Sequence, residues 1–143
     1  MALLAVGAAA PAFKGMNLLG GEFNLANVTG ARGAVISFAP DQINPAQVAW
    51  AKNLYEKNKA EVEMISIVRK IPSVSMAKAF LQQLGIKFPS VYDQKQEIFQ
   101  MYGVENPVVI YSINKDGVIT NVAQLEPKAF NQAAMEAAIA KAK

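Results

Sequence analysis

Apolar residues along this chain fall into two kinds of run, and the difference between them predicts its elements. Gly33 to Phe38 and Val62 to Val68 are almost continuously apolar and β-branched, the pattern of strands buried on both faces. Pro45 to Asn58 and Ser73 to Leu84 read as helices. In the second, Val74, Ala77, Leu81 and Leu84 recur at helical spacing and Gly85 stands where a left-handed residue closes a helix. Phe13 to Leu19 and Glu22 to Leu25 flank Gly20-Gly21 and predict a hairpin. Ser90 to Tyr92 is a short strand. Asp93, with Gln96 three residues on, opens a helix through a capping box, and Gly103 closes it. Pro107 precedes a strand at Val108 to Ile113, and the turn Asn114 to Gly117 leads into Val118 to Ala123. A last, alanine-rich helix begins at Pro127. The predicted order ββ–β–α–β–α–β–α–β–β–α is an α/β fold with a mixed sheet flanked by helices.

Composition narrows the chemistry. With 143 residues, 52% of them apolar and 17% charged, residues 1–143 are expected to form one ordered, soluble domain. The chain holds no cysteine and no histidine. That removes thiol redox chemistry, disulfides, Cys/His zinc sites, Ser-His-Asp triads and imidazole acid–base catalysis. No cofactor and no metal are expected. The net charge of +3 comes from scattered pairs such as Lys57 and Lys59 or Lys141 and Lys143. No basic run is interleaved with aromatics, so nucleic acid is not an expected partner. No segment approaches the roughly 18 apolar residues of a membrane span. Met1 to Ala10 is apolar but lacks a basic start and runs straight into Pro11 and Phe13. It is read as part of the domain, and the protein as cytoplasmic.

One stretch looks like an active-site loop with its chemistry removed: Phe38-Ala39-Pro40-Asp41-Gln42-Ile43-Asn44-Pro45-Ala46-Gln47. Pro40 and Pro45 fall, without a gap, on the two prolines of the peroxiredoxin motif Pro-x-x-x-Thr-Pro-x-Cys. Asn44 then replaces the threonine and Gln47 the peroxidatic cysteine. Four further segments, one before this loop and three after it, stand in family order. They are Gly7-x-x-Ala10-Pro11-x-Phe13, Phe88-Pro89-Ser90-Val91-Tyr92-Asp93, Met101-Tyr102-Gly103-Val104 and Ile113-Asn114-Lys115-Asp116-Gly117-Val118-Ile119. Together they resemble the peroxiredoxins of the alkyl hydroperoxide reductase and thiol-specific antioxidant (AhpC/TSA) superfamily. The resemblance implies a thioredoxin-like fold with an N-terminal β-hairpin. It also implies a thiol peroxidase or thiol-disulfide oxidoreductase ancestry, but Gln47 offers no nucleophile. The family's arginine, near the start of the strand after Tyr-Gly-Val, is replaced by Val108-Val109, and the only arginines are Arg32 and Arg69.

The expected function is therefore a redox-inactive, cysteine-less domain that binds a protein partner or a second copy of itself. No catalytic residue is assigned. Pro40, Asp41, Asn44, Gln47, Asn106 and Pro107 are the candidate cleft, and a small anion at the old peroxide pocket is the alternative ligand. Asp41 competes with such an anion. The loop also has a purely structural reading, in which Asn44 caps the helix, Pro45 is its first residue and Gln47 reaches back to the cap. Thioredoxin-like relatives further suggest a cis Asn106–Pro107 peptide beside the loop. Trp50, Leu54 and Tyr55 are expected to pack in the core. Tyr102 and Tyr111 are expected half-buried, and Glu61 and Glu63 solvated on a strand edge.

Overall fold

A computed structural model describes residues 2–40 and 45–143. Among the described residues, seven strands form one sheet. They are β1 (Lys14–Asn17), β2 (Glu22–Asn24), β3 (Gly33–Phe38), β4 (Val62–Val68), β5 (Ser90–Tyr92), β6 (Val109–Ile113) and β7 (Ile119–Gln124), in the spatial order β2-β1-β5-β4-β3-β6-β7. β3, β4 and β5 are parallel, while β6 and β7 on one side and β1 and β2 on the other are antiparallel. β3 is buried along its whole length because β4 and β6 flank it and both faces are covered, which explains its unbroken apolar run.

The helices are α1 (Pro45–Asn58), α2 (Val74–Leu84), α3 (Glu97–Met101) and α4 (Gln132–Ala142). Side chains alternate across each strand, so the sheet divides two apolar cores. Ile36, Phe38, Ile65 and Ile67 point to one face, with Phe99 from α3 and Phe13 from the N-terminal segment. Val35, Val62 and Met64 point to the other, with Leu54, Leu81 and Met135 from α1, α2 and α4. The apolar start packs on the first of these cores through Leu3, Leu4, Ala8 and Ala10. Gly7 and Ala8 exchange backbone hydrogen bonds with Ile119, and the Leu4 N–H donates to the Tyr111 hydroxyl. No helix among the described residues is long and apolar enough to cross a membrane.

Helix ends follow local chemistry, and two differ from expectation. Ser73 caps α2 by accepting from the Met76 N–H, and Gly85 closes it at φ 70° with its own N–H on Gln82 and Leu81. The Asp93 capping box does not form. Its carboxylate instead accepts from the Phe99 N–H at 2.8 Å, six residues on, while Gln96 stands at the helix start with φ 57°. α3 is therefore one short turn. Likewise Pro127 opens only a 3₁₀ turn (Pro127–Ala129), and α4 begins after Asn131, whose side chain accepts from the Ala134 N–H at 2.9 Å. Asn131→Ala is expected to cost about 0.5–2 kcal/mol, and Asn131→Gly only a few tenths. Urea melts of the two variants check this. Equal losses would show that the cap is not what holds the start of α4.

Candidate functional site

The segment that carries the motif resemblance leaves the sheet at the end of β3. The Ala39 N–H still bonds to the Ile67 carbonyl, one residue before Pro40. Asp41, Gln42, Ile43 and Asn44 lie outside the described residues, and with them the Asn44 cap and the Asp41 carboxylate. α1 resumes the chain at Pro45. Gln47 is half-buried, and its Nε2 donates to the Phe130 carbonyl at 3.3 Å. The residue at the peroxidatic register thus ties α1 to the segment before α4.

β6 brings the second part. Phe38 lies opposite Val109 in an antiparallel pair, so the residues before β6 run beside those after β3. This sets Pro107 at the same end of the sheet as Pro40. The expected cis Asn106–Pro107 peptide is not there: the cis bond is the next one, Pro107–Val108. Val108 has no open backbone edge, since its N–H and carbonyl both bond to Leu125 at 3.3 and 2.9 Å. Asn106 faces elsewhere, into a separate depression with Leu3, Glu105 and Gln124. Of the six candidate residues, Pro40 and Gln47 line one cavity, Pro107 adjoins the same sheet end, Asn106 does not join them, and Asp41 and Asn44 are undescribed.

The cavity shared by Pro40 and Gln47 has a volume of ≈ 140 Å³. It lies between the second face of the sheet and the helices α1, α2 and α4, with Trp50, Phe80, Phe88 and Phe130 in its walls. Trp50 meets Phe130 edge-on at 5.4 Å, so it packs and lines the cavity at once. Leu54 is buried in the core, and Tyr55 packs half-buried against Phe88. Beside this cavity a groove of ≈ 520 Å³ continues past Pro40, Lys70, Pro72, Met76 and Phe80.

Other sequence candidates resolve differently. Tyr102 and Tyr111 are fully buried, not half-buried. The Tyr102 hydroxyl donates to the Pro11 carbonyl and the Tyr111 hydroxyl to the Tyr102 carbonyl, each at 2.6 Å. Burial pushes both hydroxyls above the ordinary tyrosine range, which suits anchors and not proton donors. Glu61 is exposed, but Glu63 is buried in β4, which lies between β5 and β3 and not at an edge. The Glu63 carboxylate pairs with the Arg32 guanidinium at 2.8 Å and accepts from the Met64 N–H. Desolvation pushes it above the usual carboxylate range, against the opposing pull of Arg32 and these hydrogen bonds. Arg69, the other arginine, emerges from the end of β4. It lies over the Phe99 ring at 5.2 Å and donates to the Glu105 carbonyl.

The sequence pattern of the AhpC/TSA family matches residues 6–133, most of the chain. The chain belongs to the AhpC/TSA family. This AhpC/TSA domain is 30% identical over 117 residues to the thiol-disulfide oxidoreductase ResA of Bacillus thuringiensis, covering 80% of the domain and 66% of that relative. It thus spans about two thirds of the length of the curated relatives it matches. Its fold is shared by a secreted disulfide oxidoreductase of Mycobacterium tuberculosis, with TM-score 0.73 and 19% identity over 90% of the domain and 94% of that chain. Peroxidoxin BcpB of the same organism gives TM-score 0.78 with 15% identity over 95% and 94%. The expected thioredoxin-like architecture is therefore present. A cysteine thiol, the group that thiol-disulfide exchange requires, occurs nowhere in the 143 residues of this AhpC/TSA domain.

Proposed function

We propose that this chain is a redox-inactive AhpC/TSA domain that works as a protein-binding module. Its partner is an extended segment that alternates apolar and acidic residues, seated in the groove beside Pro40. The observation that carries this reading is the exposed apolar strip on α2. Met76 is 69% and Phe80 41% exposed, next to Pro40 and Pro72, with the exposed Lys70 in the same groove. Large apolar side chains left in water beside a cation favour a partner of complementary pattern. Pairing with a second copy of this chain is the competing outcome.

The thiol peroxidase or disulfide oxidoreductase reading rests on family alone. The domain is expected not to consume hydrogen peroxide with dithiothreitol or thioredoxin as reductant, and Gln47→Cys alone is expected to restore little. A cysteine there would still lack an arginine near Val108 to position peroxide, and replacing Gln47 would release the bond to Phe130. Turnover by the unmodified protein above a heat-inactivated blank would overturn the redox-inactive half of the proposal. For the binding half, fluorescence anisotropy with a labelled Leu/Glu-alternating peptide is expected to saturate, and a Leu/Lys peptide not to. Met76→Glu is expected to weaken the first at least tenfold, with an unchanged melting temperature. Equal affinity for both peptides, or none, overturns the groove. Concentration-dependent dimers lost in Met76→Glu would assign it to a second copy instead.

A further inference from the structure

We propose that the cavity under α1 and α2 binds an uncharged, ring-sized apolar molecule carrying one hydrogen-bonding group, seated with that group on a row of serine hydroxyls. The row comes from strand register. Ser37 of β3 lies beside Ser66 of β4, and Ser66 beside Ser90 of β5. Register partners on neighbouring parallel strands point to the same face about 4.8 Å apart. Three hydroxyls therefore stand side by side across the middle of the sheet, and all three residues line the cavity. No signal of this row is visible along the chain, where the serines are 29 and 24 positions apart.

The surroundings are apolar. On β6 the residue opposite Ser37 is Ile110, and beyond Ser90 comes Leu18, whose N–H bonds to the Ser90 carbonyl at 2.8 Å. Trp50, Leu81, Phe88 and Phe130 wall the space above. Ser37 and Ser90 are only 6% and 4% exposed, yet no described group hydrogen-bonds to any of the three hydroxyls, and what surface they keep opens into the cavity. A hydrocarbon that filled the cavity would leave these hydroxyls covered and without a partner, at roughly 1–3 kcal/mol each, a cost that a ligand supplying the partner avoids.

Size and charge narrow the class. The volume of ≈ 140 Å³ is close to the roughly 150 Å³ of an engineered apolar cavity in another protein that accepts benzene. Among the described lining residues there is no Lys, Arg, Asp or Glu. An ionised head group would be stripped of water without a counter-charge. The cavity therefore suits an alcohol, ketone or amide on a single ring, and disfavours an anion. This ligand is distinct from the partner segment, which occupies the outer groove.

Trp50 is the only tryptophan and lines the cavity, so its emission reports occupancy. The probes are cyclohexanol, cyclohexane and cyclohexanecarboxylate, none of which absorbs where tryptophan does. Cyclohexanol is expected to saturate the Trp50 response and to bind at least tenfold more tightly than the carboxylate. Ser66→Ala is expected to cut its advantage over cyclohexane by about fivefold, the loss of one neutral hydrogen bond. Ala51→Leu, which fills the cavity, is expected to abolish the response, and Ser66→Ala still gives a readout if that variant fails to fold. A response that does not saturate, a carboxylate that binds as well as the alcohol, or an alcohol preference unchanged in Ser66→Ala overturns the proposal. So does saturable binding that survives in folded Ala51→Leu, which would place the ligand in the outer groove.

Discussion

Replacing Arg32 by methionine is expected to lower the unfolding free energy by about 2–4 kcal/mol, with most of the loss recovered by adding Glu63→Gln. Removing one partner of a buried ion pair typically costs roughly 3–5 kcal/mol, because the remaining charge stays desolvated. The figure here is set lower because the Arg32 side chain keeps 30% of its exposure, against 7% for Glu63, so the pair is partly solvated. Arg32 also donates to the Lys59 carbonyl, a contact that the double variant does not restore. Glu63→Gln alone is expected to cost less than Arg32→Met but not to be neutral, since Arg32 and the Met64 N–H bond to different carboxylate oxygens and a single amide oxygen can keep only one of them. Denaturant melts of the two single variants and the double close the cycle. A double variant as unstable as Arg32→Met would mean that packing of the arginine stem, and not the stranded charge, accounts for the loss.

The same pair sets a pH dependence with a definite sign. The folded pKa of Glu63 lies above its ordinary value, chiefly through desolvation, so the folded protein holds this proton more tightly than the unfolded chain. Its contribution to stability is fully present below the unfolded pKa. It is lost as pH rises through the raised folded value, and is flat above it. Glu63→Gln is expected to remove that downward slope. In Arg32→Met the carboxylate loses its attractive partner, its pKa climbs further, and the stability deficit shrinks as pH is lowered. A deficit independent of pH would argue that Glu63 is not what Arg32→Met exposes.

Glu63 also shows where linear reading fails. In Glu61-Val62-Glu63 the alternation imitates a solvated edge, but β4 lies between β3 and β5, and the compensating charge comes from Arg32, 31 residues away. Elements set by local composition were legible. The bounds of β3, α1, β4 and β5 follow from apolar runs and turn residues that act within a few positions. Helix starts set by longer reach were not. The Asp93 carboxylate caps six residues on, outside a three-residue box, and Asn131 outcompetes Pro127 because the segment between them turns as 3₁₀. At the site, Pro40 and Gln47 were visible because the motif lies in one loop. The serine row was invisible because register between β3, β4 and β5 is a property of the sheet and not of any stretch of chain.

Phe38→Ala is expected to cost about 3–5 kcal/mol, a large part of the roughly 5–15 kcal/mol that holds a typical domain folded. Phe38 is fully buried and ends β3, just before Pro40. Its ring meets Phe99 at 5.0 Å, Tyr102 at 5.6 Å and Tyr111 at 6.0 Å. The cost of such a deletion depends on how far the neighbours can collapse into the space. Here two of the three are pinned, Tyr102 to the Pro11 carbonyl and Tyr111 to the Tyr102 carbonyl, so the void should persist. Phe38→Leu keeps most of the volume and is expected to lose less than half as much. Releasing the pins tests the mechanism. In a Tyr111→Phe background the neighbours gain freedom, and Phe38→Ala should cost measurably less than it does alone. Strict additivity of the two changes in urea melts would show that the tyrosine hydroxyls do not hold the cluster open.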